Sequence, residues 1–313
     1  MVASGATITL NGSGFGTRCN GCQVAAYPEA TTPGSVLTTP SWTNTAITAT
    51  LPSSFYGFYQ LVVTAANGGS DSINVVVQST STPTLNTAGV INGASFASTT
   101  LAPGSIASAF GTSLTTTTAG AAAVPLPNTL GSAQLLVNGS VVPLFYVSPT
   151  QFNFQVPFIA AGSATFQVVS AGVNGSTVTA NIAAAAPGIF TDDSSGTGQG
   201  AVLNQDFSAN SAANPAAEGS VVQIYCTGLG AVSPALAAGS PGASSAPFNN
   251  TVVIPTVTVG GMNAPVQFSA VAPGFVGLYQ VNAQVPVGVS GSAVSLQVNS
   301  GGVASNTVTI AVQ

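Results

Sequence analysis

The sequence has almost no ionic chemistry. Of its 313 residues one is Arg or Lys (Arg18), six are Asp or Glu and none is His, so charged residues make up 2%, against roughly 25% in ordinary soluble proteins. Without His or Lys the chain lacks the common general bases, the imidazole metal ligands and the Schiff-base amines. Its many Ser and Thr hydroxyls therefore have no base of the usual kind to activate them. A net charge of −5 opposes nucleic-acid binding, which depends on many Lys and Arg side chains neutralising phosphates. Long hydrophobic runs are absent too: the longest, such as Val141–Val147, are strand-sized, well short of the roughly 18 residues that span a bilayer. Disorder does not fit either, because 45% of the chain is hydrophobic whereas disordered chains combine low hydrophobicity with high charge.

What is present alternates. Short runs rich in Val, Ile, Thr and Phe repeat with period two between Gly, Pro, Asn and Ser, the pattern of half-buried strands, and no stretch holds a helical period. The same order of features recurs three times. Gln151-Phe152-Asn153-Phe154-Gln155-Val156-Pro157 and Gln280-Val281-Asn282-Ala283-Gln284-Val285-Pro286 agree at five of seven positions, and Ala46–Pro52 keeps the alternation and the final Pro. A Gly-led strand precedes each copy (Gly5–Leu10, Gly104–Ile106, Gly219–Val221), and a strand around Tyr59–Val63, Phe166–Val169 or Leu296–Val298 follows. The spacing predicts an all-β chain of three tandem immunoglobulin-like antiparallel β-sandwiches, over 1–79, 80–186 and 187–313. Their junctions fall at Ser79–Pro83 and Ala183–Gly188, where Pro and small residues suit short, stiff connections.

These residues also carry a resemblance. The opening GATITLNGSGFG, the strand SWTNTAITATLP and the ending YQLVVTAANGGSDSINVVV resemble the immunoglobulin-like IPT/TIG domain. The segments GVINGASF, LFYVSPTQFNFQVP, AAAAPGIF, GSVVQIYCTGLGAVSP, APGFVGLYQVNAQVP and SNTVTIAVQ are similar to the uncharacterised Solibacter-type C-terminal region of secreted Acidobacteria proteins. The resemblance implies an extracellular location and a sandwich architecture. It brings no catalytic residues.

The second and third modules begin with lead-ins, Gly89–Phe96 and Gly200–Phe207, that have no counterpart ahead of Gly5. The first sandwich is thus expected to lack its first strand, leaving an edge of unpaired backbone groups. One explanation is that the chain is a fragment, processed or begun late, as the lack of a visible signal peptide also suggests. The other is that a neighbouring copy supplies the strand, a head-to-tail contact that repeats without closing.

Individual constellations are sparse. Cys19-Asn20-Gly21-Cys22 surrounds an Asn-Gly turn; with Cys226 the only other Cys, four zinc ligands cannot be assembled. The pair reads as a local disulfide of an oxidising exterior, with free thiols as the alternative. Cys226, in an apolar alternating strand, reads as a small buried hydrophobe. Asp192-Asp193 reads as a solvated loop rather than the start of a calcium site. The Gln-x-Asn-x-Gln strands are expected to bond neighbouring loops or the adjacent module, with an intersubunit amide ladder as the alternative. Phe55, Tyr56 and Trp42 are the candidates for contact with a partner or a glycan. No residue is assigned to catalysis, a cofactor or a metal. The function expected is that of a non-enzymatic extracellular structural protein whose partners are copies of itself, forming a surface filament or sheath. An adhesin, or the glycan-binding accessory region of a larger secreted protein, is the alternative.

Overall fold

The computed structural model describes residues 1–28, 34–78, 82–97 and 100–313; Glu29 and the junction residues Ser79–Ser81 lie outside them. Among the described residues every regular element is a β-strand, and no helix is long and apolar enough to cross a membrane. Three hydrophobic cores lie in two compact units, Met1–Thr82 with Ala171–Asn174, and Pro83–Ser170 with Gly175–Gln313.

The first unit holds β1 (Val2–Ala3), β2 (Thr7–Asn11), β3 (Gln23–Pro28), β4 (Ser35–Val36), β5 (Thr38–Trp42), β6 (Ala46–Thr50), β7 (Gly57–Thr64) and β8 (Ser70–Gln78). One sheet runs β1-β8-β7-β3-β4 and the facing one β2-β6-β5. Inward residues alternate as the period demands, so Val24, Ala26, Ile47, Ala49, Leu51 and Leu61 are fully buried.

The second unit holds two sandwiches. The first of them contains β9 (Thr84–Asn92), β10 (Thr100–Leu101), β11 (Ile106–Thr112), β12 (Ala119–Gly120), β13 (Ala133–Val137), β14 (Ser140–Val141), β15 (Leu144–Val147), β16 (Gln151–Gln155), β17 (Gly162–Ser170) and β18 (Val173–Ile182). Its sheets are β12-β15-β16-β11-β9 and β10-β18-β17-β13-β14. Phe152, Phe154 and Phe166 fill the space between them, the last two rings 6.0 Å apart. The last sandwich is built on β19 (Gly188–Ile189), β20 (Val202–Leu203) and β21 (Val221–Thr227), with Tyr279–Gln284 on the other side of β21.

Each sandwich also ties an early segment to its final strand in parallel. Val2–Ala3 pair with Val77–Gln78, Thr100–Leu101 with Asn181–Ile182, and Gln199 and Ala216 bridge to Thr309 and Val312.

Within the second unit the two sandwiches are joined by a seam of neutral hydrogen bonds. Thr227, fully buried, accepts the Ile106 N–H at 2.8 Å and donates to the Gly277 carbonyl at 2.8 Å. Gln155, 2% exposed, donates to the Gly104 carbonyl and accepts the Gly239 N–H at 2.6 Å. The Asn92 amide donates to the Ala186 carbonyl at 2.9 Å. At Gly228 φ is +79° and an added Cβ would collide with the Ala186 carbonyl, so the seam requires glycine there. No buried side-chain nitrogen or oxygen among the described residues lacks a partner.

Candidate binding surfaces

Two concave surfaces stand out. The first belongs to the first sandwich, at the outer side of β2. There β2 pairs with β6, Thr7 opposite Thr50 through Asn11 opposite Ala46, and among the described residues with no other strand. Beside this edge lies a groove of 770 Å³ lined by Thr9–Asn11 of β2, Phe15, Leu61 and Val63 of the core, and Asn67, Asp71 and Ser72. The inward side chains of β2, Ile8 and Leu10, are only half-buried. Their counterparts in the second sandwich, Ala107 and Ala109, are fully covered by β9.

The second is a cleft of 560 Å³ within Pro83–Gln313, formed by Phe145, Phe190 and Phe275 with Val124, Val276 and Leu278, and no charged side chain lines it. Elsewhere on the same unit Val252, Val253 and Ile254 stand 62%, 51% and 71% exposed in the loop before Pro255. Three consecutive exposed aliphatic residues form an apolar knob of the kind that marks contact sites. Neither the cleft nor the knob was named from the sequence. For the knob the signal was there: Val-Val-Ile breaks the alternation that a half-buried strand keeps.

Cys19 and Cys22 form a disulfide, with Cα atoms 5.1 Å apart. Trp42 is half-buried, its ring edge-on to Phe15 at 6.5 Å and its Nε1–H donated to the Phe15 carbonyl. Tyr56 is 42% exposed. Phe55 differs from expectation. The turn in which its N–H bonds the Pro52 carbonyl folds the ring onto Tyr59, stacked at 4.4 Å and 5°, and leaves it 9% exposed. That withdraws Phe55 from surface contact, and the same packing raises the Tyr59 pKa by burial. The structure does not bring Trp42 and Tyr56 together with Phe55 as one exposed platform.

Polar groups elsewhere have structural partners. Asp193 accepts the Ser195 N–H at 3.0 Å, and hydrogen bonds from Ser195 and Thr191 hold its pKa below the ordinary carboxylate value. Asp192 moves the other way, raised first by partial burial and then by the charge of Asp193. Among the described residues no three Asp, Glu or Cys side chains converge on a metal position. Cys226 is fully buried and desolvation pushes its thiol pKa far up, so it is inert as a nucleophile. Gln151 and Gln280 donate to Asn153 and Asn282 on their own strands, and Gln284 to the Gly219 carbonyl.

No protein-family model and no curated protein matches this chain. Solved structures show repeated immunoglobulin-like sandwiches of similar kind. The SGBP-B of the Bacteroides ovatus mixed-linkage glucan utilization locus, in complex with a mixed-linkage heptasaccharide, is 14% identical with a TM-score of 0.32; the match covers 99% of this chain and 65% of that one. A surface glycan-binding protein from Prevotella bryantii is 14% identical with a TM-score of 0.34, over 61% of this chain and 39% of that one. A tandem from titin is 12% identical with a TM-score of 0.24, over 99% and 94%. Likenesses of this order carry no functional conclusion.

Proposed function

We propose that the chain is a non-enzymatic protein of the cell exterior that acts by association, a structural subunit joining copies of itself head to tail into a filament or sheath. The observation that carries this reading is the pair of unlike apolar surfaces on one compact unit, the cleft around Phe145, Phe190 and Phe275 and the knob Val252–Ile254. Two different patches that meet across subunits make a heterologous contact, and such contacts build open assemblies when rotation does not close them. With almost no ions to repel or desolvate, like subunits meet at little electrostatic cost. The Cys19–Cys22 disulfide suits an oxidising exterior, as does the resemblance to IPT/TIG and Solibacter-type secreted regions.

Electron microscopy and sedimentation in 10 mM and 1 M NaCl test the reading. Polymers that persist in both salts, and that are lost in the Val253→Asp variant, support it. Monomers in every condition, or polymers that dissolve in high salt, overturn it, because screening acts on charges and these contacts have none.

The second reading is an adhesin or the glycan-binding region of a larger secreted protein. Asn11, Asn67, Asp71 and Ser72 around the groove beside β2 favour it, since they supply the hydrogen bonds a sugar needs, and Tyr56 is exposed. Selective binding of a soluble monomer on a glycan array, lost in Asp71→Ala, supports this reading over assembly.

A further inference from the structure

We propose that the outward sheet face around β16, and its counterpart around Tyr279–Gln284, are each a binding site for an uncharged glycan chain. The inference goes beyond the association reading, and the residues that carry it line neither the groove beside β2 nor the cleft.

Alternation fixes what each face shows. Phe152 and Phe154 of β16 and Ala107 and Ala109 of β11 are fully buried in the core, so Gln151, Asn153, Ser108 and Phe110 point the other way. Tyr146 of β15, set opposite Asn153, shares that side. The last sandwich repeats the pattern place for place. Val281, Ala283, Ile224 and Cys226 go inward; Gln280, Asn282, Gln223 and Tyr225 go outward, and Phe268 stands opposite Asn282. Phe110 is opposite Gln151 as Tyr225 is opposite Gln280. Each face is thus a middle row of two half-buried amides with a half-buried aromatic residue on the strand to either side.

The amides are aimed. Gln151 Nε2 donates to Asn153 Oδ1 at 2.8 Å, and Gln280 Nε2 to Asn282 Oδ1 at 2.8 Å. Ser108 adds a second bond to Asn153 Oδ1 at 3.0 Å. Each Asn oxygen is occupied in this way, while neither Asn Nδ2 donates to any of the described residues. No buried side-chain nitrogen among those residues lacks a partner, so both Nδ2 groups are open to solvent.

The occupant follows from what is left to offer. β16 lies between β15 and β11, and Tyr279–Gln284 between β21 and Val266–Val271, so the backbone is paired on both sides and no strand can be added. What remains is one oriented amide donor between aromatic residues: the donor suits a hydroxyl oxygen, and a ring suits the C–H face of a sugar. Neighbouring residues of one face on one strand are about 6.8 Å apart, the scale of a single hexose ring. None of these side chains is charged, so a uronate or sulfate chain finds no counter-ion and the matching glycan is neutral.

Isothermal titration of the full chain with cellohexaose, laminarihexaose and mannohexaose, and with hexagalacturonate as the charged comparison, tests the proposal. At least one neutral hexasaccharide is expected to bind at two sites per chain, alike in low and high salt. Asn153→Ala should weaken one site roughly tenfold, and adding Asn282→Ala should weaken both. Phe110→Leu with Tyr225→Leu, which keeps apolar bulk and removes the rings, should do the same and serves if the Asn variants fail to fold. Three results overturn the proposal: no binding of any neutral probe, tighter binding of hexagalacturonate, or neutral binding that the folded variants leave unchanged. Neutral binding lost in Asp71→Ala instead overturns it in favour of the groove beside β2. Two-site binding by a chain that never polymerises leaves the faces standing and removes self-assembly. Polymers that bind none of the probes do the reverse.

Discussion

Ile8 and Leu10 in the first sandwich and Ala107 and Ala109 in the second hold the same places in the same kind of strand, yet the larger pair is half-buried and the smaller pair has no exposure. The difference is one strand. β9 covers β11, and its Leu85 and Val90 join the core, while β2 has no such cover among the described residues. A sandwich therefore seals its interior with its outermost strand as much as with its largest side chains.

Several substitutions would break or sharpen that contrast. In the sealed sandwich, Phe154→Ala leaves a cavity beside Phe166 and should lower stability by about 3–5 kcal/mol. Hydrogen exchange should then quicken in β13 and β17 and stay unchanged in β3 and β7. Asn92→Ala removes the donor to Ala186 and the acceptor of the Ala94 and Ser95 N–H groups, which is expected to cost about 2–3 kcal/mol in denaturant titration of Pro83–Gln313.

In the open sandwich, opening the short Cys19–Cys22 loop should cost about 2 kcal/mol. The loss appears as reductant-dependent melting of the first unit alone, since Cys226 has no disulfide partner. Leu10→Ala, at a half-buried site, should cost only about 1 kcal/mol, against about 2–5 kcal/mol for Leu135→Ala at a fully buried site of the sealed sandwich; equal losses in denaturant titration would break the contrast.

The smallest effect is that of pH. Asp193 and Asp206 have folded pKa values held below the ordinary one by neighbouring hydroxyl and amide hydrogen bonds. The stability they add is present at neutral pH and is lost only as pH falls below about 4 through those folded values. Asp192, raised by burial, is relieved as it protonates and works in the opposite sense. With no His, melting temperature should change by less than about 2 °C between pH 6 and 9, by calorimetry.

Much of the fold was legible because period-two alternation and the recurring Gln-x-Asn-x-Gln segment report on local geometry. The lead-ins before Gly104 and Gly219 likewise pointed to β9 and β20. The seam was legible only in part: the amides of the Gln-x-Asn-x-Gln strands were expected to bond loops or the adjacent module, and Gln155 does so at Gly239, but no local pattern connects Thr227 to Ile106 across a long stretch of chain. Phe55 was misplaced for a related reason. Its position in a loop suggested exposure, but the turn at Pro52 returned the ring to Tyr59. The cleft of Phe145, Phe190 and Phe275 draws on three distant segments, and residues far apart in sequence announce no shared cavity.

The parallel pairing of early and final segments has a mechanical consequence. When the first sandwich is pulled at Val2 and Gln78, Val2–Ala3 slide against Val77–Gln78 along the strand direction. Their hydrogen bonds then bear the load together in shear instead of peeling apart one by one, and that module resists extension more strongly than its few terminal bonds would suggest.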